Sequence, residues 1–193
     1  STVRMVYDKK DRLTSMTDEL NRTTTFTWDA NGNLIKLTDS EGGEVLFEYD
    51  LMDRLVKTTN RLGAASTRTY DRLSRLAGMA DTTGVKVAYQ YNSRGWLNQV
   101  TRAGKSWTMT YDDEGRVVSV TDPLNNTTQY EYVDATCGCG GMGKIARITD
   151  ALNQVTEFEY DLAGNMILSR DALDRETAYE YDALNRMTAI ESP

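Results

Sequence analysis

Residues 44–49 read Glu-Val-Leu-Phe-Glu-Tyr, which places Val45, Phe47 and Tyr49 on one side and Glu44, Leu46 and Glu48 on the other. The same alternation returns along the chain as Thr24, Phe26, Trp28; Val87, Tyr89, Tyr91; Thr128, Tyr130, Tyr132; Thr156, Phe158, Tyr160; and Thr177, Tyr179, Tyr181. A period of two, carried by β-branched and aromatic residues, predicts strands and not helices. With 2 prolines in 193 residues, little interrupts them.

These strands belong to a repeat. Counting from the aromatic residue that closes each one, anchors fall at Tyr7, Trp28, Tyr49, Tyr70, Tyr91, Tyr111, Tyr132, Tyr160 and Tyr181. The spacing is 21 residues, except 20 between Tyr91 and Tyr111 and 28 between Tyr132 and Tyr160. The array is expected to occupy residues 1–193 as a single domain, with a loop insertion over about 134–142. The chain opens and closes in mid-unit, so a segment of a longer protein is expected.

Two slots in each unit carry turn chemistry. The fifth is Asp11, Gly32, Asp53, Ser74, Gly95, Gly115, Gly143, Gly164 and Asn185. The fifteenth is Asn21, Gly42, Gly63, Gly84, Asn125, Asn153 and Asp174, with Gly104 in the short unit. Gly, Asn and Asp tolerate a left-handed backbone, so each unit reverses twice. An Asp three residues earlier, as in Asp112 to Gly115, suits a type I turn closed by a bulge.

Between those turns lies a parity problem. The first strand of each unit carries apolar residues at slot 7 (Leu13, Leu34, Leu55, Val117) and slot 10 (Met16, Leu37, Val120, Ile148), an odd separation that a regular strand would send to opposite faces. A β-bulge between slots 7 and 10 would return both to the aromatic face, as would a two-residue loop at one turn. The expected fold is therefore all-β: repeating antiparallel hairpins in one long sheet, coiling as strand twist accumulates.

Composition then narrows the function. Net charge is −7 with no long basic run, which argues against a nucleic-acid partner. No apolar run approaches the length of a membrane helix, so membrane insertion is not expected. Histidine is absent, removing the commonest general base and a common metal ligand.

The phrases Tyr-Asp-x-x-Gly-Arg (Tyr111–Arg116), Thr-Asp-x-x-Gly (Thr38–Gly42) and Thr-x-Tyr-x-Tyr-Asp (Thr128–Val133 and Thr177–Asp182, the former with Val in the last place) resemble the YD repeat of the RHS, or rearrangement hot spot, family. The resemblance implies a large secreted or cell-surface protein whose hairpins spiral into a hollow shell. In bacterial toxins of this family the shell encloses a C-terminal toxic domain; other members act in adhesion. Such shells usually end in a self-cleaving segment with an Asp-Pro motif. Here Asp122-Pro123 occupies the ordinary turn slot of Asp39-Ser40 and reads as turn chemistry.

Few residues stand out against this repeat. Cys137 and Cys139 lie in the insertion; two thiols fall short of the four ligands of structural zinc, so no metal or cofactor is expected. Trp96 fills a slot that is Arg12, Arg54, Arg75, Arg116 or Arg186 elsewhere, and Trp107 lies on the next strand. Either could stack on a sugar ring, against the blander reading of local packing. The recurring aspartates sit at turn starts, where they cap backbone, and a catalytic pair should not recur every unit.

The sequence thus leads to a non-enzymatic wall segment of a secreted or surface shell that encloses or presents another domain. The alternative is a surface adhesin or carbohydrate-binding module. Two open sheet edges, at the Tyr7 and Tyr181 ends, lead to the expectation of either the remainder of a larger shell or self-association as partner.

Overall fold

The computed structural model describes residues 2–133 and 142–192. Eighteen strands account for its regular structure. They are β1 (Arg4–Tyr7), β2 (Leu13–Thr17), β3 (Thr23–Trp28), β4 (Leu34–Thr38), β5 (Glu44–Tyr49), β6 (Leu55–Thr59), β7 (Ala65–Tyr70), β8 (Leu76–Ala80) and β9 (Lys86–Tyr91). There follow β10 (Leu97–Arg102), β11 (Lys105–Tyr111), β12 (Val117–Thr121), β13 (Thr127–Tyr132), β14 (Ile145–Thr149), β15 (Val155–Tyr160), β16 (Met166–Arg170), β17 (Glu176–Tyr181) and β18 (Met187–Glu191). The chain divides into two compact units, Ser1–Gln90 with Thr101–Gly104, and Tyr91–Val100 with Lys105–Pro193.

In the first unit each strand pairs antiparallel with the next, from β1–β2 through β8–β9. In the second unit the same order runs from β11–β12 through β17–β18. The all-β hairpin fold expected from period-two alternation is the fold observed.

The turns follow from the left-handed slots. Residues Asp11, Asn21, Asp53, Ser74, Asn125, Asn153, Asp174 and Asn185 all take positive φ, as do the glycines in the equivalent places. At Asp112 the geometry is typical: Gly115 N–H donates to the Asp112 carbonyl, and Asp112 N–H to the Arg116 carbonyl. That is a type I turn followed by a left-handed residue, the three-residue hairpin connection. One turn differs. Ala103 and Gly104 both have positive φ, which makes a two-residue primed turn and accounts for the 20-residue unit.

The parity problem is solved by a bulge. Thr110 pairs with Ser119 but Tyr111 with Val117, leaving Val118 as the extra residue. The same shift strands Ile35 between Leu34 and Lys36, and Val56 between Leu55 and Lys57. Slot 7 then faces the anchor aromatic, as Leu34 faces Trp28, while slot 10 faces the aromatic strand, as Leu37 faces Phe26 and Val45. Both apolar slots share one face.

That face is only half covered. Among the described residues Val133 is the sole buried hydrophobic, at 9% exposure, and no large side chain is fully buried. The chain exposes 13132 Å², against about 9,200 Å² for a compact monomer of its mass. Among the described residues each unit is a sheet without a second layer, so its stability comes from neighbour-to-neighbour contacts along the array.

The opposite face is polar and, in the second unit, ordered by charge. Glu131, Arg147, Glu157, Arg170 and Glu176 stand directly opposite one another on five successive strands. Arg170 lies 3.2 Å from Glu157 and 2.6 Å from Glu176; Arg147 is 3.7 Å from Glu157 and 4.0 Å from Glu131. Exposed pairs of this kind contribute about 0.2–1 kcal/mol each, and they also disfavour a one-residue slip, which would break the register.

Candidate functional site

The most organised chemistry in the molecule lies where one hairpin meets the next. The Asp that opens a turn accepts two backbone N–H groups with Oδ1: Asp8 from Lys10 and Arg12 at 2.7 and 3.1 Å, Asp50 from Met52 and Arg54 at 2.9 and 3.1 Å. Its Oδ2 accepts both Nε and Nη2 of the Arg four residues on, at 2.8 and 2.7 Å for Arg12 and for Arg54. This fork fits the planar guanidinium and holds it flat.

Held there, the guanidinium covers the anchor ring of the following hairpin. Arg54 lies over Tyr70 and Arg116 over Tyr132, each 4.7 Å from the centroid, and Arg12 over Trp28 at 5.9 Å. Where Lys144 replaces Arg, it lies 5.2 Å over Tyr160. Arg12 also donates to the Asp29 carbonyl at 2.8 Å.

The anchor ring reaches back in turn. Tyr49 donates its hydroxyl to the Leu34 carbonyl at 3.0 Å, Tyr70 to Leu55 at 2.9 Å, Tyr132 to Val117 and Tyr160 to Ile145 at 2.8 Å, and Tyr181 to Met166 at 3.0 Å. Trp28 uses its indole N–H on Leu13 in the same way. Every acceptor is slot 7, the residue just before the bulge. A bulge disrupts the ladder locally, and the aromatic of the next hairpin supplies the missing donor.

The electrostatics follow this geometry. Asp8 is held below the usual carboxylate range by the Arg12 backbone N–H and then its guanidinium; for Asp50 the Arg54 side chain leads. Burial pushes the Tyr49, Tyr132 and Tyr160 hydroxyls upward, so they remain donors. Such an arrangement fixes and aligns hairpins. Its carboxylates are committed to backbone and Arg, which leaves them poorly suited to move protons.

The sequence candidates fall as follows. Trp96 packs on Tyr111, with centroids 5.3 Å apart, and Arg94 lies 5.2 Å over its ring. A Cβ at Gly115 would come within 2.9 Å of the indole, so the ring fills the place of the missing Arg against the following hairpin. Trp107 lies half-buried on the aromatic face of β11; among the described residues no ring contact joins it to Trp96. Cys137 and Cys139, with most of the 134–142 insertion, lie outside the described residues. Among those described, no cluster of three or more His, Cys, Asp or Glu is placed to hold a metal. Asp122, before Pro123, has its carboxylate engaged by the N–H groups of Leu124 and Asn126 and the Asn126 amide.

What the sequence did not disclose is the Tyr-to-carbonyl bond. The spacing of Asp and Arg by four residues was a visible signal for the fork. The acceptor was not visible, because it is backbone.

An array of antiparallel hairpins, in which a turn Asp, a cation four residues on and the anchor aromatic of the following hairpin recur as one arrangement, defines a repeat protein. The RHS Repeat family pattern matches residues 7–44, 28–67, 70–106 and 111–136, which together cover more than half of the chain. The chain belongs to the RHS repeat family. No curated protein matches it. Among solved structures it is similar to a TcdB2–TccC3–TEV crystal structure, with 15% identity and a TM-score of 0.63, covering 97% of this chain and 13% of that one. A Tc holotoxin pore from Photorhabdus luminescens gives 15% identity and 0.56, covering 97% and 12%. TcdB2–TccC3 without its hypervariable C-terminal region gives 16% and 0.54, covering 97% and 14%. The chain thus spans about an eighth of those chains, and at such identity the likeness is one of fold.

Proposed function

We propose that this chain is a non-enzymatic wall segment of an RHS shell, in a secreted or cell-surface protein, which encloses or presents another domain. The observation that carries the reading is the half-covered aromatic face. Each sheet has one apolar face with no second layer upon it, although its hairpins are stitched together in every unit. A wall has this anatomy, because its inner face is completed by enclosure and not by packing within the segment. The fold likeness to toxin complexes containing TcdB2–TccC3 supports it, and an enclosed toxin domain is the cargo we infer.

The exposed outer strands β1 and β18 fit the same reading, since further hairpins of a longer shell would pair with them. The test is limited proteolysis of the parent protein, read by mass. An enclosed domain resists protease until the shell is opened. Ready digestion of every other domain while the repeats remain intact would sink the reading, and selective binding on a glycan array would favour an adhesin instead.

A further inference from the structure

Asn31 is followed by Gly32, and no other asparagine in the sequence precedes a glycine. It fills the fourth slot of the turn between β3 and β4, a place that holds Lys10, Met52, Leu73, Arg94 or Glu114 in other turns. Both Asn31 and Gly32 are exposed. An Asn-Gly pair is prone to spontaneous deamidation, because glycine has no side chain to hinder approach to its backbone nitrogen.

The turn holds the two reacting groups away from each other. Gly32 N–H donates to Asp29 Oδ1 at 2.8 Å and to the Asp29 carbonyl at 3.4 Å. The Gly32 nitrogen can attack only after losing that proton, and a carboxylate at hydrogen-bond distance disfavours the resulting anion. The Asn31 side chain is engaged elsewhere: its Nδ2 donates to Asp53 Oδ1, in the turn between β5 and β6, at 2.9 Å. Asn33 donates to the same oxygen at 2.6 Å, so Asp53 ties two amides of the neighbouring turn.

We propose that Asn31 is a deamidation site gated by this turn, inert while the Asp29 and Asp53 contacts stand and converted when they open. On opening, the Gly32 nitrogen bonds to Cγ of Asn31, the Cγ–Nδ2 bond breaks, and ammonia leaves with the Gly32 proton. Water then opens the cyclic imide at either carbonyl, giving aspartate or isoaspartate. An aspartate carboxylate cannot donate to Asp53, and it sets like charges where a hydrogen bond stood. Isoaspartate routes the main chain through the former side chain. That adds a backbone atom to a turn closed by the bond from Asp29 N–H to the Asn33 carbonyl at 2.9 Å. A transient opening is thereby recorded as a lasting break between two neighbouring turns. The inference stands on this turn alone and does not depend on the wall reading.

The experiment is peptide mapping by mass spectrometry of the 193-residue chain at mildly alkaline pH, folded in buffer and unfolded in guanidinium chloride. Far-ultraviolet spectra serve as the fold control. The folded rate is the unfolded rate multiplied by the fraction of time the turn is open, so conversion at Asn31 should be at least about tenfold slower in the folded chain. D29A frees the Gly32 N–H and should speed conversion several-fold while the spectrum is unchanged. D71A removes the corresponding carboxylate from another turn of the same unit and should leave the Asn31 rate as it was. Equal rates in the folded and unfolded chains, no acceleration in D29A, or equal acceleration in D71A would each overturn the gate. N31D carries one product directly: it should lower the urea midpoint, and N31D/D53N should restore it. A midpoint unmoved by N31D would overturn the break between the turns.

Discussion

The hydroxyl of Tyr132 donates to the main-chain carbonyl of Val117, fifteen residues earlier, at 2.8 Å. Val117 immediately precedes the bulged residue Val118, where the ladder is interrupted. The aromatic anchor therefore supplies a hydrogen bond that its own strand cannot, in addition to covering apolar surface. Tyr132→Phe keeps the ring under Arg116 but orphans the carbonyl. It should cost about 1–2 kcal/mol, seen as a lower urea midpoint with unchanged slope. Tyr130→Phe, on the same strand but away from a bulge, should cost less. Equal losses at both positions would mean that the hydroxyl contact contributes nothing specific.

Acid should dismantle the turns together. Twelve turn aspartates have carboxyls held below their ordinary value by backbone and side-chain hydrogen bonds. A carboxyl depressed in the folded chain contributes stability that is fully present above its unfolded value, about 3.9, and is lost as pH falls through the lower folded value. Stability should be flat from neutrality to about pH 5 and then fall steeply. Thermal midpoints that do not change between pH 5 and pH 3 would contradict this assignment.

One bulge slot carries the wrong side chain for its surroundings. Asn98 occupies the place of Ile35, Val56 and Val118, and its Oδ1 is buried without a hydrogen-bond partner. Asn98→Val removes that desolvated acceptor and introduces a β-branched residue suited to a strand. A gain of about 1 kcal/mol is expected, as a raised urea midpoint. A loss of stability would show that the amide makes a contact worth more than its burial costs.

How far the sequence disclosed this fold depends on the kind of interaction. Period-two alternation located the strands, and Asp11, Asn21 and Ser74 marked left-handed turns, because backbone handedness restricts residue type at a fixed slot. The need for a parity correction was legible through arithmetic, since Leu34 and Leu37 lie an odd number of residues apart; that a bulge and not a two-residue loop supplies it was not. The partner of Tyr132 was not legible, since a carbonyl freed by a bulge has no residue type of its own. Nor was the charge ladder from Glu131 to Glu176, which depends on cross-strand register. Trp96 was visible as an anomaly, yet its contacts with Tyr111 and Gly115 required coordinates. Nor was the exposure of the turn leucines legible, since a turn slot restricts backbone conformation and not what the side chain presents.

The insertion supplies the last prediction. Tyr132 stands opposite Ile145, and Gly143 takes φ of 78°, matching Tyr111 opposite Val117 with Gly115 at 85°. Val133 occupies the slot of the turn-opening Asp: its N–H donates to the Lys144 carbonyl, and its own carbonyl accepts from Gly143. Deleting residues 135–141 leaves Tyr132-Val133-Asp134-Met142-Gly143-Lys144, with the standard count from anchor to glycine. Shortening the loop should stabilise by up to about 1 kcal/mol, since each halving of loop length recovers about 0.6 kcal/mol. Val133→Asp should then have opposite effects in the two chains. In the shortened chain it restores a carboxylate able to cap the turn N–H groups and pair with Lys144, which should raise the thermal midpoint. In the full-length chain the substitution places a charge at the most buried hydrophobic position among the described residues, so the midpoint should fall. A change of the same sign in both chains would show that the slot does not act as a turn opener, and a marked loss on deletion would show that residues 135–141 make contacts the array needs.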